Sequence, residues 1–184
     1  MSSAAKSLMT VDEFLDFAEG LEGRWELENG VAYAMAPELL GHGRVKLAVV
    51  LALRRAIGRA GLACEAVIDS VAIRVGPRTA YQPDALVYSG ARAPDDAREI
   101  GEPVVLVEVT SPSSRAKDEG KKLVAYFSLP SVQHYLVIDP KDRIVVHHQR
   151  GWDGRIEPST LRAGALRLDP PGLEVDVAEL FASQ

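Results

Sequence analysis

Apolar positions along this chain follow two rhythms, one of helices and one of strands. Val11, Phe14, Leu15 and Ala18 are spaced as one face of a helix. Thr10 and Glu13 match a capping box at its start, and Gly20 closes the stripe. In RWELENGVAYAMA, Asn29-Gly30 stands between two short runs, which predicts a tight hairpin. Residues 43–60 form the longest helical stretch. Val45, Val49, Ala52, Leu53, Ala56 and Ile57 share one face, Arg44, Arg55 and Arg59 share another, and Gly61 ends it. The rhythm then changes to that of strands, in CEAVIDSVAIRV, YQPDALVYS and PVVLVEVTS, separated by Gly76-Pro77 and by the loop GARAPDDAREIGE. Residues 117–128 read as a helix stopped at Leu129-Pro130. VQHYLVID and RIVVHHQ form a second hairpin about Pro140-Lys141-Asp142, followed by a short strand at 165–168 and a helical turn, VAELF. Strands in the middle and helices around them predict an α/β fold: a central mixed β-sheet flanked by helices, with an N-terminal helix and β-hairpin.

Composition narrows this picture. The 184 residues fit one domain, 1–184, and 47% hydrophobic with 26% charged residues is the balance of a globular chain. The net charge of −5 excludes a uniformly basic nucleic-acid coat, although not a local basic patch. One cysteine, Cys64, excludes an internal disulfide and Cys-based zinc motifs. His134, His147 and His148 lack the HExxH spacing of a zinc hydrolase and read as sheet residues. No apolar run reaches 18 residues, and the N-terminal MSSAAKSLMTVDEF has no apolar core of a secretion signal. A cytoplasmic protein without membrane contact is expected.

The candidate chemistry lies in three segments. Pro103–Val109 is apolar except for Glu108, the pattern of a strand buried on both faces. Alternation places Leu106, Glu108 and Thr110 on one side and Val105, Val107 and Val109 on the other. A carboxylate there faces a desolvation cost of several kcal/mol unless a cation or donors compensate, or unless it sits at the strand's wet end. Asp84 follows Pro83 at a strand entry, where a turn-forming aspartate is equally ordinary. Two carboxylates on adjacent strands can share a hard divalent cation. The third segment is SSRAKDEGKKLVAYF. On a regular helix Asp118, Lys122 and Tyr126 share a face and Lys121 points elsewhere. Either the face is solvated and carries an Asp118–Lys122 pair, or one lysine points at the carboxylates. Residues 39–62 hold Arg44, Lys46, Arg54, Arg55 and Arg59 and no acid, and Arg115, Lys117, Lys121 and Lys122 form a second basic cluster. Either could contact phosphates or be a solvated face.

These motifs carry a resemblance. Pro83-Asp84 followed by Glu108-Val109-Thr110 resembles the PD-(D/E)XK nuclease superfamily. The ordered set RWELENG, the His42 helix, QPDALVY, VLVEVTSPSS, DEGKKLVAYF, VQHYLVIDP and LEVDVAELF resembles, over nearly the full length, the bacterial Uma-two family of restriction-endonuclease-like proteins. The resemblance implies a restriction endonuclease-like core, with Mg²⁺ or Mn²⁺ held by Asp84, Glu108 and the Val109 carbonyl. It also implies metal-dependent hydrolysis of DNA phosphodiesters. The superfamily lysine would stand at Thr110; here Lys122 on the following helix holds the matching position. Glu26 and His42 also match favoured positions. Glu26 would be a third acidic group at the site or a hairpin carboxylate paired with Arg24 or Arg44. His42 would be a participant or a helix-capping residue. Thr110 and Lys121 would lie behind the reacting groups, and Arg44, Arg55, Arg59, Arg115 and Lys117 would contact phosphates. Two rival readings stay open at this point: a catalytically silent nuclease-fold binding module, and a phosphoesterase acting on RNA or nucleotides. The VQHYLVID–RIVVHHQ hairpin would suit a homodimer.

Overall fold

The structure is a computed structural model that describes residues 8–110 and 118–181, with only the backbone at 118 and 119. The first helix, α1 (Val11–Glu19), is closed by the expected capping box. The Glu13 carboxylate accepts from the Thr10 N–H at 2.8 Å, and the Thr10 hydroxyl accepts from the Glu13 N–H at 3.3 Å. Its Val11 and Phe14 pack on Leu27 and Ala80. Strands β1 (Trp25–Glu28) and β2 (Val31–Ala34) form the predicted hairpin. Asn29 and Gly30 both take positive φ, at 52° and 83°, and a Cβ on Gly30 would meet that of Leu8 at 2.8 Å. Then follow α2 (Leu40–Ala60), β3 (Cys64–Ile68), β4 (Ile73–Gly76), β5 (Thr79–Tyr81), β6 (Ala85–Ser89) and β7 (Pro103–Val109).

One turn of π-helix (Asp118–Lys122) runs into α3 (Leu123–Phe127). The chain continues through β8 (His134–Asp139), β9 (Ile144–Arg150), β10 (Ile156–Leu161), β11 (Ala165–Leu168) and β12 (Leu173–Asp176), and ends in a 3₁₀ turn (Val177–Phe181).

The main sheet has the order β10-β9-β8-β7-β6-β3 and is mixed, with β7 and β8 parallel and the other neighbours antiparallel. A smaller antiparallel sheet has the order β2-β1-β5-β4, and β11 and β12 form a separate hairpin. The apolar stripe of α2 (Val49, Ala52, Leu53, Ala56) packs on Val105, Val107 and Val109 of β7 and on the β11–β12 hairpin. Leu106 faces the opposite side, against Tyr81, Tyr126 and Tyr135. The alternation read for β7 is therefore the observed one.

Four details differ from the sequence pattern. The run 64–75 is two strands, because the chain bends at Asp69 and β4 joins the smaller sheet. The run 81–89 is split at Gln82-Pro83, where proline offers no ladder donor. Within the stretch predicted as one helix, residues Asp118–Lys122 take π geometry before α3 begins. Finally, β10 reads IEPSTL, half-buried only at its two ends, and carries no alternation to predict it. It pairs along β9, so the edges of the main sheet are β10 and β3. The VQHYLVID–RIVVHHQ hairpin, β8–β9, is thus internal to the sheet. No helix among the described residues is long and apolar enough to cross a membrane.

Candidate functional site

Antiparallel pairing of β6 with β7 brings the start of one beside the end of the other, so Asp84 stands next to Glu108 and Val109 in the strand ladder. The Asp84 N–H donates to the Val107 carbonyl at 3.0 Å, and Asp84 Oδ2 accepts from the Val109 N–H at 2.7 Å. The preceding bend is tied down: Gln82 Nε2 donates to the Asp69 carbonyl at 2.6 Å, and the Asp69 N–H donates to that of Asp84 at 3.2 Å.

Around the Asp84 carboxylate stand Arg24 Nη1 at 2.9 Å, His42 Nε2 at 3.3 Å and Lys46 Nζ at 3.4 Å. Burial alone would raise its pKa. His42, the charges of Arg24 and Lys46 and the Val109 amide overcome this and hold the carboxyl well below the usual carboxylate range. Lys46 Nζ also meets both Glu38 oxygens at 2.8 Å and pairs with Asp69. Burial depresses the Lys46 pKa, but the bonds to Asp69 and Glu38 outweigh it and leave it raised. Ligand atoms of Glu38, His42 and Asp84 all lie within 4.8 Å of one another. His42 Nε2 is buried and makes no hydrogen bond among the described residues.

The second half of the site is built on Glu108. Its Oε1 accepts from Lys122 Nζ at 2.7 Å and from the Tyr126 hydroxyl at 2.8 Å. The ammonium reaches Glu26 at 2.9 Å as well, with Lys122 1% and Glu26 0% exposed. The ring of Tyr81 lies 5.5 Å from Lys122 Nζ. Burial, and after it the charge of Glu108, pushes the Tyr126 phenol up; burial with Glu28 and Glu26 pushes Tyr81 up to about 12. Both phenols therefore remain protonated donors.

The RWELE segment joins the two halves, because residues two apart on a strand point to one side. Arg24 reaches Asp84 and Glu38, Glu26 reaches Lys122, and Glu28 pairs with Lys121, while Leu27 on the other face packs under α1. Burial opposes the Arg24 charge, but Asp84, Glu38, Asp69 and Glu108 together raise its pKa. Arg24 thus senses both the Asp84 and Glu108 carboxylates.

The structure brings Glu108, Lys122 and Glu26 together and sets Glu108 beside Asp84 in the ladder, with ligand atoms of His42 and Glu38 converging with that of Asp84. Glu26 has Lys122 as its ion-pair partner, rather than the Arg24 or Arg44 considered from sequence. Thr110 is buried, and its N–H and hydroxyl both donate to the Ile138 carbonyl, at 2.8 and 3.2 Å. Lys121 lies at the surface against Glu28. Arg44 is exposed. Arg55 pairs with Glu179 at 3.2 Å, and Arg59 donates to the Glu174 carbonyl at 3.2 Å, so both are engaged by the C-terminal segment. Arg115, Lys117 and the side chain of Asp118 lie outside the described residues. Sequence reasoning missed Glu38, Asp69 and Tyr126 as site residues, took Arg24 for a pairing partner, and left Lys46 as a phosphate contact or part of a solvated face. The available signals were the i, i+4 spacing of Glu38 with His42 and of Lys122 with Tyr126.

The fold and sequence have known counterparts. A crystal structure of a putative nuclease from Anabaena variabilis superposes with a TM-score of 0.71 over 94% of this chain and 97% of that one, at 19% sequence identity, which shows a shared fold. No curated protein matches the sequence. The family described as putative restriction endonuclease matches residues 11–179, so the chain belongs to the Uma2 family.

Proposed function

We propose that the protein is a divalent-metal-dependent endonuclease that hydrolyses DNA phosphodiester bonds. The observation that carries this reading is that a buried Asp84 and Glu108 stand at the adjoining ends of neighbouring strands, the first held by the Val109 amide and the second by Lys122 from the helix that follows. Membership of a family described as putative restriction endonuclease, and a solved counterpart described as a putative nuclease, support it.

The donor set fits a hard cation. Glu38, His42 and Asp84 converge closely enough to share one, carboxylate oxygens suit Mg²⁺ or Mn²⁺, and the buried His42 Nε2 stands 3.3 Å from Asp84 Oδ2. Three carboxylates, Glu38, Asp69 and Asp84, face two cations, Arg24 and Lys46, which leaves one negative charge when His42 is neutral. Asp84 and Glu108 would hold the ion, with the Val109 carbonyl, Glu38 and His42 as further ligands. Such an ion supplies Lewis-acid polarisation of a phosphoryl oxygen and acidifies bound water.

The chain's own residues would do the rest. Glu26, Glu108 and Tyr81 fix the Lys122 ammonium, so that it donates to the attacking water or to charge developing on the phosphoryl group without reorganising. Tyr126 donates to Oε1 of Glu108, the oxygen that also takes Lys122, and so fixes the rotation of that carboxylate.

The test is cleavage of duplex DNA, single-stranded DNA and RNA with Mg²⁺ and with Mn²⁺, with Glu108→Ala as control. Duplex cleavage that the control abolishes is expected. Cleavage of RNA alone favours the phosphoesterase reading. Metal binding without cleavage of any substrate favours the silent module.

A further inference from the structure

We propose that Arg24 is the resident counter-ion of the metal site, and that a divalent cation binds by displacing its guanidinium from between Glu38 and Asp84. The inference rests on the reading of Asp84 as a metal ligand.

Four groups crowd the Asp84 carboxylate, two against each oxygen. Oδ1 meets Arg24 Nη1 at 2.9 Å and Lys46 Nζ at 3.4 Å. Oδ2 meets the Val109 N–H at 2.7 Å and His42 Nε2 at 3.3 Å. A metal ion can bind there only if one of these contacts gives way.

The Val109 amide is fixed in the strand. His42 offers a ring nitrogen, itself a metal ligand, and can stay. Lys46 is 3% exposed, springs from the middle of α2, and is held by Glu38 and Asp69 as well. Arg24 differs in its place in the chain, its exposure and the completeness of its bonding. It precedes β1 rather than lying within an element, and its side chain is 18% exposed. Its bonding is incomplete: Nη1 bridges Glu38 and Asp84 and Nη2 donates to the Gln82 carbonyl at 2.7 Å, but the buried Nε makes no hydrogen bond and stands 3.7 Å from Asp69. Nη1 therefore occupies the gap between two of the three ligands that converge here. A guanidinium cannot give up its proton in a protein, so it must move rather than neutralise.

Metal affinity is then reduced by the fraction of molecules in which Arg24 is still in place. Removing the guanidinium should tighten binding, although it also removes a favourable contact from the apo protein.

Mn²⁺ binding by calorimetry in the wild-type protein, Arg24→Gln, Arg24→Lys and Asp84→Asn tests this. Arg24→Gln should bind about tenfold or more tightly than wild type, a gain of ~1.4 kcal/mol. Arg24→Lys, which keeps a cation, should stay near wild type, and Asp84→Asn should lose the site. Unchanged or weaker binding in Arg24→Gln, with binding lost in Asp84→Asn, overturns the proposal and leaves the metal site standing. Undiminished binding in Asp84→Asn overturns both. A second readout does not depend on Arg24→Gln folding. Trp25 adjoins Arg24, and in a Trp152→Phe protein it is the remaining tryptophan. Its fluorescence should change saturably with Mg²⁺ at the binding midpoint. No change across a range in which calorimetry with Mg²⁺ shows binding overturns the displacement.

Discussion

Lys122→Met puts the core of the site to a quantitative test. The ammonium is 1% exposed and sits 2.7 Å from Glu108 and 2.9 Å from Glu26, which are 4% and 0% exposed. Methionine matches the lysine stem in volume, so the packing cost is small. What remains is two buried carboxylates deprived of their shared cation, and breaking a buried pair in this way costs about 3–5 kcal/mol. For a chain of this size each kcal/mol moves the midpoint by roughly 2–4 °C, so Tm should fall by roughly 6–20 °C. Replacing Glu26 by leucine in the same protein removes one of the stranded charges. Exchange of a buried ion pair for apolar side chains is often neutral, so Glu26→Leu with Lys122→Met should recover most of the loss while leaving no cleavage activity. The assay is thermal and urea unfolding by circular dichroism at pH 7 in EDTA. If Lys122→Met unfolds within about 1 kcal/mol of wild type, less than the smallest cost expected for a broken buried pair, the ammonium is not bearing the carboxylates and the argument fails.

Three further outcomes are expected. His134 Nε2 faces the Pro170 carbonyl at 2.8 Å and must donate, so its Nδ1 accepts from His147 Nε2 at 2.9 Å. Burial pushes both imidazoles down to about 4, below the ordinary value of 6.5. The pair's contribution is therefore complete above about pH 6.5 and lost as pH falls toward 4, at up to about 1.4 kcal/mol per pH unit for each group. A Tm–pH profile from 4 to 7 no steeper than that of His134→Leu with His147→Leu would refute it. Asp84, whose folded pKa is depressed, contributes stability above its unfolded value near 3.8 and loses it below. The Tm advantage of wild type over Asp84→Asn in EDTA should thus be constant from pH 5 to 7 and shrink at pH 3; an equal advantage at pH 3 and 6 contradicts it. Tyr126→Phe removes one donor from Glu108 and should cost about 1–3 kcal/mol, as a hydrogen bond to a charged group does; unfolding within a few tenths of wild type argues against that bond.

The strand-borne part of the site was legible because burial leaves a mark on a strand. Glu108 is the one charge in an apolar run, and Asp84 follows a proline that interrupts a ladder. Lys122 was legible from the motif that carries it, and Tyr126, missed as a site residue, could have been found from it, since positions four apart on a helix meet the same neighbour. The cations that balance Asp84 left no such mark. Lys46 falls among arginines on a helix whose other basic residues are exposed or reach only the C-terminal segment, and in sequence it is indistinguishable from them. It is buried because Glu38, before the helix, and Asp69, at the bend after β3, are brought to it by the sheet. Arg24 shows the limit most clearly. Alternation in RWELE places Arg24, Glu26 and Glu28 on one side of a strand, and that was available from the sequence. What that side meets depends on β1 pairing with β5, more than 50 residues away, which sets the strand against the ends of β6 and β7. Period-2 patterning specifies a face but not its partner. Charges whose partners come from packing between two sheets become functional residues only when the topology is known.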